Sequence, residues 1–389
     1  MASITLIRKN KDNSSSWKIR ASLGKDPATG EYKYISQSFK GSKKQADLKA
    51  KELQLQIDKG EFKQSSTDTL SNFMQQWLKV KKMEVSLRSY DNYTNIIKYH
   101  IEKPLGKTKL DELTPQLIQN YIVNYRPTEI SQTTRRNIFK ALKLMLKNAV
   151  VLELIDKNPM EDLKAPKQAL PELNIPDKKD LTKIINFLKE QDRRIWVITG
   201  SQIAVATGMR VGEILGLKWS DINFINQTIT IQRDVVTTDS GTYIGSTKNK
   251  TSKRTIAIGD QLSIILENYK SELSEQMEKF AKRKVVEDDW LFPYFNYYSG
   301  EMHTDRTYTP PALSQAWRRA VKSVGLSKIR FHDLRHFHAV NLLSKKISIK
   351  QIQNRLGHAS SNVTMDIYMR YLPPEMDEEV KRVSDSFVI

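Results

Sequence analysis

Between residues 17 and 40 apolar and polar positions alternate on both sides of KDPATGE, where Pro27 and Gly30 punctuate, so the stretch reads as two strands around a turn. The period then changes. Ser42 is a fitting N-cap for a helix running to about Lys59, with Ala46, Ala50, Leu53 and Ile57 as its apolar stripe. GEFKQSSTD (60–68) reads as a linker. Residues 68–155 carry helical periodicity throughout, in segments near 69–83, 87–104, 115–125 and 132–153, with Thr114-Pro115 and Ser131 as start signals for the last two. In the fourth segment Ile138, Leu142, Met145 and Ala149 form the core stripe, and Arg136, Lys140, Lys143 and Lys147 repeat two residues earlier. Two residues are about 200° of helix rotation, which sets the basic stripe opposite the core. Four prolines between 158 and 176 mark an extended connector. Beyond it the pattern is mixed: helices near 178–190 and 195–206, strands near 228–233, 242–247 and 254–258, then helices near 260–282, 311–324, 332–345, 348–356 and 361–370. A last apolar stripe, Met376, Val380, Val383 and Phe387, needs a partner surface.

With 389 residues the chain is too long for one ordinary core, and two or three domains are expected. Its 63 Lys and Arg against 44 Asp and Glu leave a net charge of +19. That excess is +7 over residues 1–66, +6 over 67–167 and +6 over the remainder, so it belongs to segments that look folded rather than to a basic tail. Several modules gripping one long polyanion explain it better than a ribosomal or membrane-surface protein, and nucleic acid is the default polyanion. The basic stripe of the fourth helix, with Arg135 beside it, then becomes a candidate for phosphate contact rather than a merely solvated face. The absence of cysteine excludes disulfides, thiolate metal sites and a cysteine nucleophile. The first residues lack the apolar run of a signal peptide, and no stretch of about 18 apolar residues offers a membrane span. The expected location is the cytoplasm, in contact with the nucleoid of a bacterial host.

Three stretches carry candidate chemistry. ATGMRVGEILGLKWSDI (206–222) sets Arg210 after a Thr-Gly turn at the opening of a helix, with Glu213 three residues on. An arginine backed by main-chain N–H groups there suits a phosphate, although a buried Arg–Glu pair would leave the same trace. STKNKTSKRTIAI (246–258) gathers Lys248, Lys250, Lys253 and Arg254 in a hairpin that an ordinary solvated turn would equally explain. FHDLRHFHAV (331–340) holds His332, His336 and His338 with Asp333 and Arg335. His332 and His336 share a helical face as zinc ligands do, but HDLRH lacks the glutamate of the zincin motif and Arg335 between them would repel a cation. No metal and no cofactor is expected.

Arg210, a hairpin lysine, His332-x-x-Arg335, Leu-Gly-His358 and Tyr368 follow one another in the order that marks the tyrosine recombinases, the lambda-type phage integrases, and the chain resembles that family over most of its length. ATGMRVGEILGLKWSDI and LGHASSNVTMDIY are close to the family's first and last boxes, and LGKTKLDELTPQLIQNYI (105–122) is similar to its core-binding domain. The organisation matches integrases of temperate phages and conjugative transposons. The resemblance implies a multidomain, mostly α protein with small β-sheets. Its parts would be an arm-type DNA-binding module of three strands plus helix (1–62), a helical, SAM-like core-binding domain (67–157), a linker (158–176), a mixed α/β catalytic domain (177–372) and a tail (373–389) docking in trans.

It also implies roles. Tyr368 would be the nucleophile; it stands ten residues beyond His358, as the family pattern has it, whereas Tyr371 stands thirteen. Arg210 and Arg335 would clamp the non-bridging phosphate oxygens, and Lys248 would protonate the leaving 5′-oxygen. His332 would exchange a proton with tyrosine and phosphate, His358 would donate to the phosphate, and Glu213 would orient Arg210. His336 and His338 have no family role. DNA contacts are expected from Lys18, Arg20, Lys33, Arg135, Arg136, Lys140, Lys143, Lys147, Lys250 and Lys253. The partners implied are double-stranded DNA with core-type and arm-type sites, a homotetramer, a DNA-bending factor and an excisionase.

Competing readings are a dimer resolvase of the Xer type, which lacks a basic N-terminal module, a type IB topoisomerase, which needs no extra DNA-binding domains, and a DNA-binding regulator with a decayed catalytic domain. The complete set of candidate residues opposes the last.

Overall fold

The computed structural model describes residues 2–9, 15–25, 30–59, 68–167, 174–190, 195–246, 253–326 and 328–357. Lys248, Lys250, His358, Tyr368, Tyr371, the helix expected at 361–370 and the tail 373–389 lie outside these residues, as does the side chain of Lys33. The chain divides into two compact units, Met1–Val85 with Asn92–Ala169, and Ser86–Asp91 with Leu170–Ile389.

The first unit contains two separate hydrophobic cores. The smaller lies under an antiparallel sheet of β1 (Ser3–Lys9), β2 (Ser15–Lys25) and β3 (Tyr32–Gly41), ordered β1-β2-β3. Two of these strands are legible as alternation in the sequence; β1 enters only through the family resemblance. Alternation sends Ile19 and Ala21 of β2 inward against Ala50 and Leu53 of α1 (Lys43–Asp58), and leaves Lys18 and Arg20 exposed. Arg20 lies over the ring of Tyr34, 4.1 Å from its centre. Ser42 and Gln45 close a reciprocal capping box at the start of α1.

The larger core is helical: α2 (Leu70–Glu84), the part of α3 (Leu87–Ile96) from Asn92 onward, a π-helical turn (Ile97–Ile101), α4 (Glu102–Leu105), α5 (Pro115–Asn124) and α6 (Gln132–Val151). Thr114 and Ser131 cap α5 and α6 as expected. The stripe Ile138, Leu142, Met145 and Ala149 is buried. The basic stripe opposite it is divided between two tasks. Lys140 and Lys147 are exposed, but Arg136 donates to the Pro166 carbonyl (2.6 Å) and Lys143 to the Glu161 carbonyl (2.8 Å), tying the connector to α6.

Arg135 corrects the expectation of a DNA contact. It is 7% exposed, and its guanidinium donates to the carbonyls of Ile122, Val123, Tyr125 and Arg126, closing the C-terminal end of α5. Helix ends leave such carbonyls without intrahelical partners, and a buried fork satisfies several at once. Its position one residue before the stripe turns it inward.

The second unit is built around α8 (Ile195–Thr207), which follows α7 (Lys178–Lys189) and is apolar nearly all round, with Val197, Ile203 and Ala204 in the core. After the short α9 (Val211–Leu215) come β4 (Ile222–Asn223), β5 (Thr228–Ile231), β6 (Arg233–Thr238), β7 (Gly241–Ser246) and β8 (Arg254–Ala257). They form an antiparallel sheet ordered β4-β5-β8 and a β6-β7 hairpin. Then follow α10 (Asp260–Phe280), a hairpin of β9 (Pro293–Asn296) and β10 (Glu301–Thr307), α11 (Pro310–Ser323), α12 (Asp333–Ser344) and α13 (Ile349–Leu356). The β9-β10 hairpin is absent from the sequence reading, because NYYSG interrupts any clear alternation. Trp196 and Tyr308 stack face to face, 3.8 Å between ring centres, and join α8 to the end of that hairpin. Among the described residues no helix is long and apolar enough to cross a membrane.

Removing the Arg135 fork (Arg135→Met) leaves buried carbonyls without partners and is expected to cost about 1.5–3 kcal/mol, whereas Lys140→Ala on the opposite face should stay within ~0.5 kcal/mol. Urea denaturation of the two variants checks this; equal midpoints would show that Arg135 is not a structural cap.

Candidate functional site

The residues singled out at 206–222, 331–340 and 355–357 converge on the C-terminal turn of α13. Its last carbonyls lack helical partners, and three arginines distant in sequence supply donors. Arg254 Nε donates to Arg355 O (2.7 Å), Arg335 Nη2 to Leu356 O (2.8 Å) and Arg210 Nη2 to Gly357 O (3.2 Å). Arg335, 2% exposed, also donates through Nη1 to Gly208 O (2.7 Å), two residues before Arg210.

Gly357 ends the helix at φ +67, where a Cβ would meet Arg254 Nη1 at 2.8 Å. Gly208 has φ +69, and a Cβ there would stand 2.5 Å from Leu356 and 2.8 Å from the His338 ring. The glycines of ATG and RLG therefore admit both the turns and the close approach of the two segments.

Glu213 sits at the middle of the cluster with 2% of its side chain exposed. Its Oε2 accepts from the Arg210 backbone N–H (2.9 Å) and Arg254 Nη2 (3.0 Å), and its Oε1 from Arg210 Nη1 (2.7 Å) and Arg254 Nη1 (3.1 Å). Burial opposes its ionisation, but the hydrogen bond and charge of Arg254, followed by the charge of Arg210, outweigh it and hold the carboxyl below the usual range. Glu213 thus holds the Arg210 guanidinium and backbone N–H in company with Arg254. The Arg210 side chain keeps 37% exposure, so its guanidinium is anchored on one side and open on the other.

His332 stands immediately before α12, makes no side-chain capping bond and is exposed at one edge, with the ring of His336 edge-on at 5.0 Å. Crowding, then the nearby His336 and Arg335, keep its pKa well below the usual imidazole value, so it is neutral at pH 7 and can accept a proton. Among the described residues no group of three His, Asp or Glu side chains is arranged to hold a metal ion. Asp333 is fully buried and accepts from the backbone N–H (2.7 Å) and guanidinium (2.8 Å) of Arg330. It pairs locally, three residues back along the chain.

Three residues acquire parts that the sequence reading did not assign. His338 holds Nδ1 2.9 Å from Val205 O, while Arg355 Nε donates to its Nε2 (3.0 Å). That pair of contacts fixes a neutral ring with the proton on Nδ1. Burial, then the Arg355 charge, lower its pKa to about 4. Arg355 donates further to Ala257 O (3.0 Å) and Ala206 O (3.2 Å), bracing α13 against β8 and α8. Arg254 is the third. STKNKTSKRTIAI contains it, but only its place as the first residue of β8, rather than in the turn, hinted at burial. Lys253 is exposed.

Residues 176–373 match the phage integrase family, and residues 69–126 match the phage integrase N-terminal SAM-like domain. The chain is 25% identical over 370 residues to the ICEBs1 integrase of Bacillus subtilis strain 168, covering 95% of this chain and 97% of that protein. To the integrase of Staphylococcus phage L54a it is 23% identical over 346 residues, covering 83% and 94%. A Tn1549 transposon integrase in complex with a circular intermediate DNA shares the fold at TM-score 0.68 and 18% identity, over 82% of this chain and 100% of that one. A lambda integrase from a tetramer bound to a Holliday junction does so at TM-score 0.55 and 19% identity, over 94% of both.

Two outcomes follow from this geometry. Gly208→Ala forces a side chain into the left-handed region against Leu356 and His338, and should lower stability by more than about 1 kcal/mol in chemical denaturation. The folded chain keeps His338 neutral down to about pH 4, while the unfolded chain takes up that proton near 6.5. The unfolded state therefore binds more protons within that window, and stability, complete above it, falls as pH drops through it. The fall should be shallower in His338→Gln, read from melting temperatures across the window; an unchanged slope would exclude His338 as its source.

Proposed function

We propose that this chain, which belongs to the phage integrase family and is a tyrosine-type site-specific DNA recombinase, cuts and rejoins DNA of a mobile element through a covalent link to Tyr368. The Tyr368 phenol oxygen attacks the scissile phosphorus, the bond to the 5′-oxygen breaks, and a 3′-phosphotyrosyl ester forms. The incoming strand's 5′-hydroxyl then reverses the step on a new partner. The ester keeps the bond energy, so strand exchange through a Holliday junction needs no nucleotide cofactor.

The phenol has a free pKa of about 10, so it must lose its proton as it reacts. His332, neutral at pH 7, takes that proton. Arg210 and Arg335 bear on the two non-bridging oxygens and stabilise the charge of the transition state, a role that two guanidiniums fill without a divalent ion. Lys248 protonates the leaving 5′-oxygen and His358 donates to the phosphate.

One observation carries this reading. Arg210 and Arg335 are both anchored on the last carbonyls of α13, those of Gly357 and Leu356, and the next residue in the chain is His358. An anchored guanidinium has little freedom left to lose when the phosphate arrives, which is the condition for electrostatic preorganisation.

Residues 1–62 engage arm-type sites, with Lys18 and Arg20 on the sheet face away from α1. Residues 67–157 engage the core site, with Lys140 and Lys147 on the exposed face of α6. Residues 177–372 carry the chemistry, and the tail 373–389 docks on a neighbouring protomer of a tetramer. A DNA-bending factor and an excisionase complete the assembly on the nucleoid of a bacterial host.

Incubation with nicked duplexes carrying the element's own end sequences, in EDTA, should give a covalent protein–DNA adduct. Tyr368→Phe should abolish it and Tyr371→Phe should keep it. An adduct that survives Tyr368→Phe, or that requires a divalent metal, would overturn the mechanism.

A further inference from the structure

We infer that Arg254 is a positioning residue for strand cleavage: by engaging both oxygens of Glu213 it leaves the charge of Arg210 free for the DNA phosphate, and it fixes the turn from which His358 follows. The inference rests on the recombinase reading above.

The argument begins with charge. Arg210 and the buried Glu213 alone would make a neutral pair, and a neutral pair attracts a phosphate poorly. Arg254 adds a second guanidinium to the same carboxylate, bidentate at 3.1 and 3.0 Å. The trio then carries a net single positive charge. The one guanidinium with substantial exposure is that of Arg210, at 37%, against 8% for the Arg254 side chain. The surplus charge is therefore presented through Arg210, while the three nitrogens of Arg254 all donate within the protein, to Glu213 and the α13 carbonyl.

Geometry adds an independent reason. Arg254 Nε holds Arg355 O at 2.7 Å, one residue ahead of the two carbonyls that receive Arg335 and Arg210. Its guanidinium lies so close to Gly357 that a Cβ there would approach Nη1 to 2.8 Å and Cζ to 3.1 Å. Arg254 also begins β8, paired with Ile231 of β5, directly after the lysine-rich segment that contains Lys248. One planar, three-sided donor thus ties α9, β8 and α13 together. A lysine could keep the charge there but could not make the fork.

The test compares Arg254→Met, Arg254→Lys and the double variant Arg254→Met with Glu213→Gln. The readouts are affinity for nicked duplexes of the element's end sequences and the single-turnover rate of covalent adduct formation on them. Arg254→Met should bind within a few-fold of the unmodified chain but form adduct about 10²-fold more slowly, the scale of losing one preorganised electrostatic contact. Arg254→Lys should fall between the two. The double variant removes the carboxylate charge that Arg254→Met leaves uncompensated beside Arg210, and should recover part of the lost rate. Such recovery is not expected of lost packing alone. Should Arg254→Met prove unfolded by circular dichroism, Arg254→Lys decides: adduct formation at the unmodified rate overturns the inference. So does a double variant no faster than a folded Arg254→Met. Absence of adduct from the unmodified chain would instead overturn the recombinase reading itself.

Discussion

Three successive carbonyls at the end of α13, those of Arg355, Leu356 and Gly357, accept from Arg254, Arg335 and Arg210, and so fix β8, α12 and the start of α9 to that turn. A helix end exposes acceptors and the negative end of its dipole, so cations gather there at low cost. Guanidiniums suit the place better than ammonium groups, since each reaches its carbonyl with one nitrogen and a second partner with another. Arg335 reaches Gly208 in this way and Arg254 reaches Glu213. Segments more than a hundred residues apart in sequence are thereby fixed in register.

Concentrating positive charge without DNA present would be costly, and several features limit that cost. Glu213 lies between two of the arginines and accepts four donors. His338, in contact with Arg355, is held neutral, and His332 beside Arg335 is neutral as well. Arg210, Arg254 and Glu213 together keep a single positive charge, presented where Arg210 remains open. Under the proposed function, a phosphate entering there would meet donors already oriented, leaving little reorganisation for the reaction.

The same residue type serves other ends in the first unit. Along α6, Arg135 is buried as a cap for α5, Arg136 and Lys143 hold the connector, and Lys140 and Lys147 stay exposed. Neighbouring basic residues on one helix thus divide between structure and surface by their angle on the cylinder and by what packs alongside. The periodicity of α6 fixes that angle, but which carbonyls stand within reach depends on where α5 ends and the connector runs.

Much was legible in the residue order alone. Ser42, Thr114 and Ser131 announced their helices because capping is a local interaction among residues three apart. The stripe of α6 announced its core face because helical period is a property of the backbone. The boxes around Arg210, Arg335 and Leu-Gly-His358 announced the family because residue type and order carry chemical identity. The sequence did not reveal that Arg135 turns inward, that a neutral His338 and Arg355 brace α13, or that Arg254 shares Glu213 with Arg210. Those depend on partners 9 to 149 residues away, as in Arg135 with Arg126 and Arg355 with Ala206. Local periodicity can tell which face a side chain takes, but only the folded chain decides which carbonyl or carboxylate waits on that face.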